Sequence, residues 1–396
     1  MSETISSRTA APLLFGMRAD RVAVSVLFLA NGFLVGSWAP KIPVLMDRLV
    51  ITESTMGLLI LAFGLGSIVM MPIAGALTAR NGSAPILKVV SLLVVPLLLL
   101  LTLAPEILST AVVIFAFGGL IGGMDVAMNT NAVAVEKRMG RAIMSSCHGF
   151  WSLGALLGAA LGGLLLGSLG EVGHAIVVTL LAGVGTVLVL PLIAQDQPTP
   201  EAKAANKLKF PASPLPYLVG AMALFSMIPE GAILDWSALY LQRDHNASIE
   251  LAALGFAAFS ATMAIMRFAG DSIRQKFGAV NTLRVCGVFA MIGMAISAVA
   301  PTPQLVIVGF AIAGIGISNM VPIAFSAAGN LPGVPSGIGL SIVTVTGYSG
   351  ILVAPSAIGF IAERTGFSPV LLGTAALIIV TLSLSSLARH ADFSAD

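Results

Sequence analysis

Charge is what this sequence has least of. Of its 396 residues only 10% are Asp, Glu, Lys or Arg, against about 25% in a soluble domain. That is too few to cover a water-soluble chain of this length, so a soluble globular protein is excluded. Cysteine is scarce too: Cys147 and Cys286 are the two present, both expected at inner helix ends, and no disulfide is expected. The four histidines are scattered, and neither H-E-x-x-H nor G-x-S-x-G occurs. With no nucleophile–base pair and no metal cluster in view, no enzyme, no metal site and no cofactor is expected. No polar segment is long enough to bury a core of its own, which excludes a soluble catalytic domain. The mild basic excess, 20 Lys and Arg against 18 Asp and Glu, lies in short loops and does not argue for a nucleic-acid partner.

What is abundant is apolar. Hydrophobic residues make up 57% of the chain, with a mean hydropathy of +1.00, and they gather into runs of the roughly 20 residues that cross a bilayer. Twelve spans are read, at 22–46, 55–78, 84–104, 109–134, 144–169, 172–194, 216–241, 251–269, 281–300, 303–327, 336–361 and 366–388. They are rich in Gly and Ala, as suits closely packed helices. The alternating ten-residue segments of an outer-membrane barrel are missing. A helix satisfies its own backbone hydrogen bonds in lipid, so the fold class expected is all-α integral membrane. It has twelve transmembrane helices in two pseudo-symmetric six-helix bundles.

Placing the N-terminus inside puts all but four of the 20 basic residues on the inner side, Arg267 among them. Lys41, Arg48, Arg243 and Arg364 fall outside. The positive-inside rule therefore predicts two cytoplasmic termini, in a multi-pass protein of the cell inner membrane. The first span is too long for a signal-peptide core. The stretch "AQDQPTPEAKAANKLKFPASPLP" (Ala194–Pro216) reads as a linker. It divides the chain into a cytoplasmic tail 1–20, a bundle 21–194, a cytoplasmic linker 195–215, a bundle 216–388 and a cytoplasmic tail 389–396.

The halves repeat each other. "MPIAGALTARNG" (Met71–Gly82) ends span two as "MRFAGDSIRQKFG" (Met266–Gly278) ends span eight. "GALLGAALGGLLLGSLG" (Gly154–Gly170) aligns with "GILVAPSAIGFIAERTG" (Gly350–Gly366) at three glycines, all at an offset of 195 or 196 residues. Such duplication marks secondary transporters, whose sites lie between the repeats near the midplane. At these motifs the sequence resembles the major facilitator superfamily over essentially its whole length. That family carries a G-x-L-x-D-R-x-G-R-type signature after span two. Here Gly75, Arg80 and Gly82 fit it, with Ala79 in place of the acid, and Gly270, Asp271, Arg274 and Gly278 form the second copy. The resemblance implies that these residues lock the inner side of the outward-facing state. Simple inner-face charge is the plainer reading. Span five also looks like the G-x-x-x-G-P-x-x-G-G signature of drug–proton antiporters, with Ala159 for the proline; close helix packing is the alternative.

Ionisable groups inside spans are costly, and each is a site hypothesis. In "GGMDVAMNTNAVAVEK" (Gly122–Lys137), Asp125 falls near the centre of span four, Asn129 one turn inward on the same face, and Glu136 where the helix leaves the membrane. "MDVAMN" resembles span four of the fucose–proton symporter branch. "CHGFWSLGALLG" (Cys147–Gly158) resembles that branch's span five, and "FLANGFLVG" (Phe28–Gly36), which holds Asn31, its span one. The resemblance implies that Asp125 carries the proton. The branch's span-one aspartate falls at Ala39 here, its span-four proline at Thr130 and its span-five asparagine at Trp151. Independently, low dielectric disfavours a charged carboxylate, so Asp125 can alternate between protonated and ionised forms as a cavity switches sides. A structural pairing with Lys41 is the alternative.

Span seven, "SMIPEGAILDW" (Ser226–Trp236), places Glu230 near its middle beside Pro229, and Asp235 nearer the outer end. Glu230 is read as a second coupling acid. Lys41 is expected to bind an anionic group, to pair with Asp125 or Glu230, or to snorkel outward. Asn31, Asn319 and Tyr348 fall where a polar solute would sit. Trp38 and Trp236 suit either ring stacking or an interfacial belt; Trp151 is the better cavity candidate. His148 reads as a proton relay or a polar helix end. The substrate-binding set is therefore Asn31, Trp38, Lys41, Asn129, Trp151, Asp235, Asn319 and Tyr348.

The favoured function is secondary active transport by alternating access, moving a small polar solute such as a sugar, coupled to protons through Asp125. The alternative is proton-driven efflux of drugs or amphipathic metabolites. The expected partners are the solute, protons and the bilayer, with no nucleic acid, and the chain is expected to work as a monomer.

Overall fold

The computed structural model describes residues 13–14, 17–38, 40–51, 53–197, 211–247 and 249–392. Most of the expected linker and of the two tails lies outside them. Nearly everything described is helix. A two-residue pairing of Leu13–Leu14 with Met17–Arg18 precedes the first one.

Helix α1 (Ala19–Trp38) is the first span. It stops eight residues short of the expected limit at position 46, because Pro40 starts a separate short helix, α2 (Lys41–Leu49), that ends on left-handed Val50. Next come α3 (Glu53–Asn81) and then α4 (Ser83–Val94) with α5 (Leu97–Leu103), two pieces of one span divided at Pro96. α6 (Ile107–Met139) is the fourth span. α7 (Met144–Val189) holds the fifth and sixth, since Gly170 takes φ 69 and ψ −176 and turns the chain back. The second half follows as α8 (Leu215–His245), α9 (Ile249–Phe277) and α10 (Ala279–Val299). The tenth span is again broken, into α11 (Pro303–Ile317) and α12 (Met320–Ala328). α13 (Ser336–Thr365) and α14 (Phe367–Ser383) close the chain, with a 3-10 turn at Ser385–Ala391.

Eight runs among the described residues are long and apolar enough to span a membrane, or nine counting α14 with its bent end. The remaining spans lie in the first part of α7, in α9 and in α13. α9 carries Arg267, Asp271, Arg274 and Lys276, and the first part of α7 carries Ser145, Ser146, His148 and Ser152. These polar stretches meet across the two halves rather than facing lipid.

Within each half the helices touch backbone to backbone. A Cβ added at Gly32 of α1 would lie 2.0 Å from the Trp151 carbonyl oxygen on α7. One added at Gly118 of α6 would lie 2.0 Å from that of Phe63 on α3. No side chain fits there, and the close approach maximises dispersion contact where lipid supplies no hydrophobic drive.

The repeat is visible in a cap. Gly82 (φ 84) and Gly278 (φ 78) turn the chain before α4 and α10. The Asp196 carboxylate accepts hydrogen bonds from the Ser83 N–H (2.9 and 2.8 Å) and the Ala84 N–H (3.1 Å), and Asp392 accepts from the Ala279 N–H (2.7 Å). Both acids offset the positive end of a helix, and the same offset separates both pairs.

Candidate functional site

One end of the molecule, the basic end, is where α1 begins and the 3-10 turn Ser385–Ala391 lies. Every described hydrogen bond and ion pair between the two halves lies between this end and the middle of the bundle. The Glu136 carboxylate on α6, fully buried, accepts from the Arg274 Nη1 of α9 (3.1 Å), from Ser326 Oγ of α12 (2.6 Å) and from the Ile143 and Met144 N–H groups that open α7 (2.8 and 3.0 Å). Arg274 also donates to Ser326 Oγ (2.9 Å) and to the Ala391 carbonyl. Glu136 was expected to mark the exit of α6 from the membrane; instead it is buried because three elements converge on it.

Asp271 of α9 accepts from the Ser145 and Ser146 N–H groups (2.9 Å each) and from the Ser146 hydroxyl. It therefore caps α7 of the other half. The corresponding contact of α3 with α13 has no charge: Ser341 Oγ donates to the Met71 carbonyl (3.1 Å), and Gly75 lies against Gly337 and Ser341. Arg80 is exposed at this end. The first motif copy, lacking its acid, seals by close packing, and the second by ionic capping.

Deeper in, Asp125 sits near the middle of α6 and is 4% exposed. The Asn129 amide donates to its Oδ1 (3.2 Å) and to its backbone carbonyl (2.9 Å), and Asn129 Oδ1 lies 3.3 Å from His148 Nε2. The ring of His148 is held edge-on by Phe28 and Phe325. Oδ2 of Asp125 has no hydrogen-bond partner. Tyr348 of α13 packs beside Val126 and is within electrostatic reach of Asp125, Glu230 and Arg267.

Glu230 of α8 is held by Arg267 of α9: Nη2 donates to Oε1 at 3.2 Å. The same guanidinium reaches Ser152 Oγ on α7 (2.6 Å) and the Ser318 carbonyl (3.4 Å) at the break between α11 and α12. This corrects the placement of Arg267 at an inner helix end. α9 runs on to Phe277 before Gly278 ends it, which puts Arg267 about 16 Å inside at 1.5 Å per residue. The helix-stopping glycine was the signal that would have found it. Beside it, Asn319 donates to the Met266 carbonyl (3.2 Å) and to Ser318 Oγ (3.0 Å), while its Oδ1 is unpartnered and faces Gly270.

Two expected site residues bind each other. Trp151 Nε1 donates to Asn31 Oδ1 (2.9 Å), and Asn31 donates to the Ile121 carbonyl (3.3 Å). They brace α1, α6 and α7. Lys41 pairs with neither Asp125 nor Glu230 and does not reach outward. It is 1% exposed and meets Glu171, at 3.1 Å from the carbonyl and 3.8 Å from Oε1, where Arg48 also pairs (3.5 Å). The early end of α1 swings α2 back against α7 and moves Lys41 with it. Trp38 is packed in the core near that end. Trp236 rests on Phe367 (5.6 Å between centroids) with its indole N–H unpartnered, and Asp235 is exposed. Both cysteines are free and buried, and among the described residues no cluster could hold a metal.

The arrangement is a polar belt at mid-depth between two helical halves, sealed towards one end. Solved structures share the fold. The Escherichia coli fucose:proton symporter FucP matches with a TM-score of 0.76 at 17% identity, over 93% of this chain and 98% of that one. The human organic anion transporter MFSD10 matches with a TM-score of 0.75 at 14% identity, over 93% and 99%. Sequence relatives are nearer. An uncharacterized transporter, y4wD, of Sinorhizobium fredii is 36% identical over 86% of this chain and 90% of its own. The membrane protein MosC of Rhizobium meliloti is 32% identical over 93% and 89%. The family model of the Major Facilitator Superfamily matches residues 24–333. The chain is a multi-pass membrane transporter and belongs to the Major Facilitator Superfamily.

Proposed function

We propose that the chain moves a small polar solute by alternating access, coupled to protons through Asp125. One observation carries the reading: a carboxylate at mid-membrane, 4% exposed, has one oxygen without a hydrogen-bond partner. An ionised acid so placed opposes any closure that strips its water, and a proton removes that cost. Protonation therefore gates the conformational change, which is what coupling requires. Glu230 is the second coupling group, since a proton on it releases Arg267 to the solute. Asn129, Asn319 and Tyr348 supply donors and acceptors for hydroxyl groups. Asn31 and Trp151 shape the wall, Asp235 lines the approach from the far end, and Trp38 and Lys41 are packed in the wall.

The fold shared with a fucose:proton symporter supports this reading, as does the "MDVAMN" resemblance. The glycine signature of span five gives efflux little support, because Gly154 and Gly158 are taken up in packing on α1, against the Leu29 and Phe33 carbonyls. Gly75, Arg80, Gly82, Gly270, Asp271, Arg274 and Gly278 form the lock of the basic end. The basic excess there supports cytoplasmic termini in a cell inner membrane, hence an outward-facing state, with bundles near 21–194 and 216–388.

The test begins with a thermal-shift screen of metabolites on purified protein, followed by flux of the best ligand in proteoliposomes. Symport predicts that solute and protons enter together, and that Asp125→Asn abolishes the response to a pH gradient. Flux indifferent to both the gradient and Asp125→Asn would sink the coupling assignment. Opposed movement of solute and protons would indicate antiport.

A further inference from the structure

We propose that the open cavity at the basic end, where the halves meet, binds a phosphate-type oxyanion. The cavity measures about 440 Å³ and is lined by Arg21, Arg141 and Ser146 of the first half and Phe268, Asp271 and Lys276 of the second. A liquid water fills about 30 Å³, so a phosphate group and several waters fit.

The charges do not balance. Three cations face one carboxylate, and Asp271 is already engaged by the Ser145 and Ser146 N–H groups and the Ser146 hydroxyl. Arg21 is 7% exposed, yet its guanidinium donates to neutral groups: Ser25 Oγ (2.7 Å), Ser146 Oγ (2.6 Å) and Cys147 Sγ (3.0 Å). Among the described residues it forms no ion pair. Neighbouring Asp20 gives no relief, being paired with Arg18 (2.9 Å) and Arg138 (3.9 Å). Asp271 attracts it only from beyond ion-pair distance; a buried guanidinium so incompletely compensated is costly, and its planar fork matches a phosphate. Arg141 and Lys276 stand exposed at the rim, one from each half.

The setting admits two sources of that chemistry. Phe268 forms one wall and is 42% exposed, so an anionic phospholipid can seat its headgroup among the cations and lay an acyl chain along the ring. A free phosphate can occupy the same cations. Either one is gripped by both halves at the sealed end, so occupancy stabilises the seal.

The test uses the purified full-length protein in a neutral detergent, titrated with phosphatidylglycerol, phosphatidylcholine or inorganic phosphate, with thermal unfolding as readout. Phosphatidylglycerol or phosphate should raise the unfolding temperature, and phosphatidylcholine should not. Each basic residue near an anionic headgroup is worth about fivefold in affinity. Arg141→Gln with Lys276→Gln, both exposed and outside the packed core, should therefore weaken binding about 25-fold. Arg389→Gln, exposed at the same end but outside the cavity, should leave it unchanged. Stabilisation by phosphatidylglycerol alone identifies a headgroup site; stabilisation by millimolar phosphate identifies a soluble anion. No preference over phosphatidylcholine together with no phosphate effect would overturn the proposal. So would an equal loss with Arg389→Gln, which marks diffuse attraction.

Discussion

Of the acids in the interior, three between the halves are held in three ways. Glu136 has partners on both oxygens, Glu230 is paired with Arg267, and Asp125 keeps one oxygen unpartnered. Removing one partner of a buried pair strands the other charge, at about 3–5 kcal/mol. Glu136→Gln should therefore lower thermal stability sharply, by about that amount. Asp125→Asn should leave stability unchanged or raised, since it removes an unpaired charge; unfolding in detergent measures both. A double-mutant cycle of Glu230→Gln and Arg267→Gln should show a coupling of about 1–3 kcal/mol. Asp125 was legible in the sequence because an acid in an apolar run stands out by itself. Arg267 was not, since its depth depends on where α9 stops, and the partner of Glu136 lies more than a hundred residues away.

Helices here meet through glycine, so the packing has little tolerance for volume. Gly118→Val would drive a side chain into the Phe63 carbonyl 2.0 Å from the added Cβ. A loss of about 1–3 kcal/mol is expected from overpacking of this kind, measurable as a lower unfolding temperature. A control at Gly57, where an added Cβ meets nothing within 4 Å, should be neutral. The broken spans carry a different lesson. The break at Ser318 and Asn319 frees backbone carbonyls at mid-depth, and Arg267 satisfies one of them. Unwound backbone in a membrane is tolerated only where protein or water covers it. Local hydropathy reads straight through such a break, which is why the tenth span looked continuous.

At the scale of the whole molecule the two seals of the basic end differ, and the difference is testable. The α7–α9 seal is ionic and the α3–α13 seal is packed. A Cβ built at Gly75 lies 2.4 Å from Ser341 Cβ, about 1.4 Å inside the roughly 3.8 Å of a disulfide, so a bridge here requires α3 and α13 to part by that amount. Gly75→Cys with Ser341→Cys should cross-link on oxidation once the two helices give by that amount in their opening motion. Transport should stop and then return with reductant, because the two halves must part there in each cycle. Flux unaffected by a completed cross-link would show that this seal stays shut during transport.

The run of apolar spans, the duplication and an acid midway along the fourth span follow from the sequence by itself, because hydropathy, glycine stops and repeat offsets are local or periodic. The caps on α4 and α10 by Asp196 and Asp392 show the repeat extending to the residues that follow each half. Which charges meet was decided by the tertiary structure alone. Lys41 went to Glu171 because α1 ends early, and Arg274 went to Glu136 because two halves close on one another. Ion pairing at a distance along the chain depends on how helices are set side by side, and no spacing in the sequence encodes that.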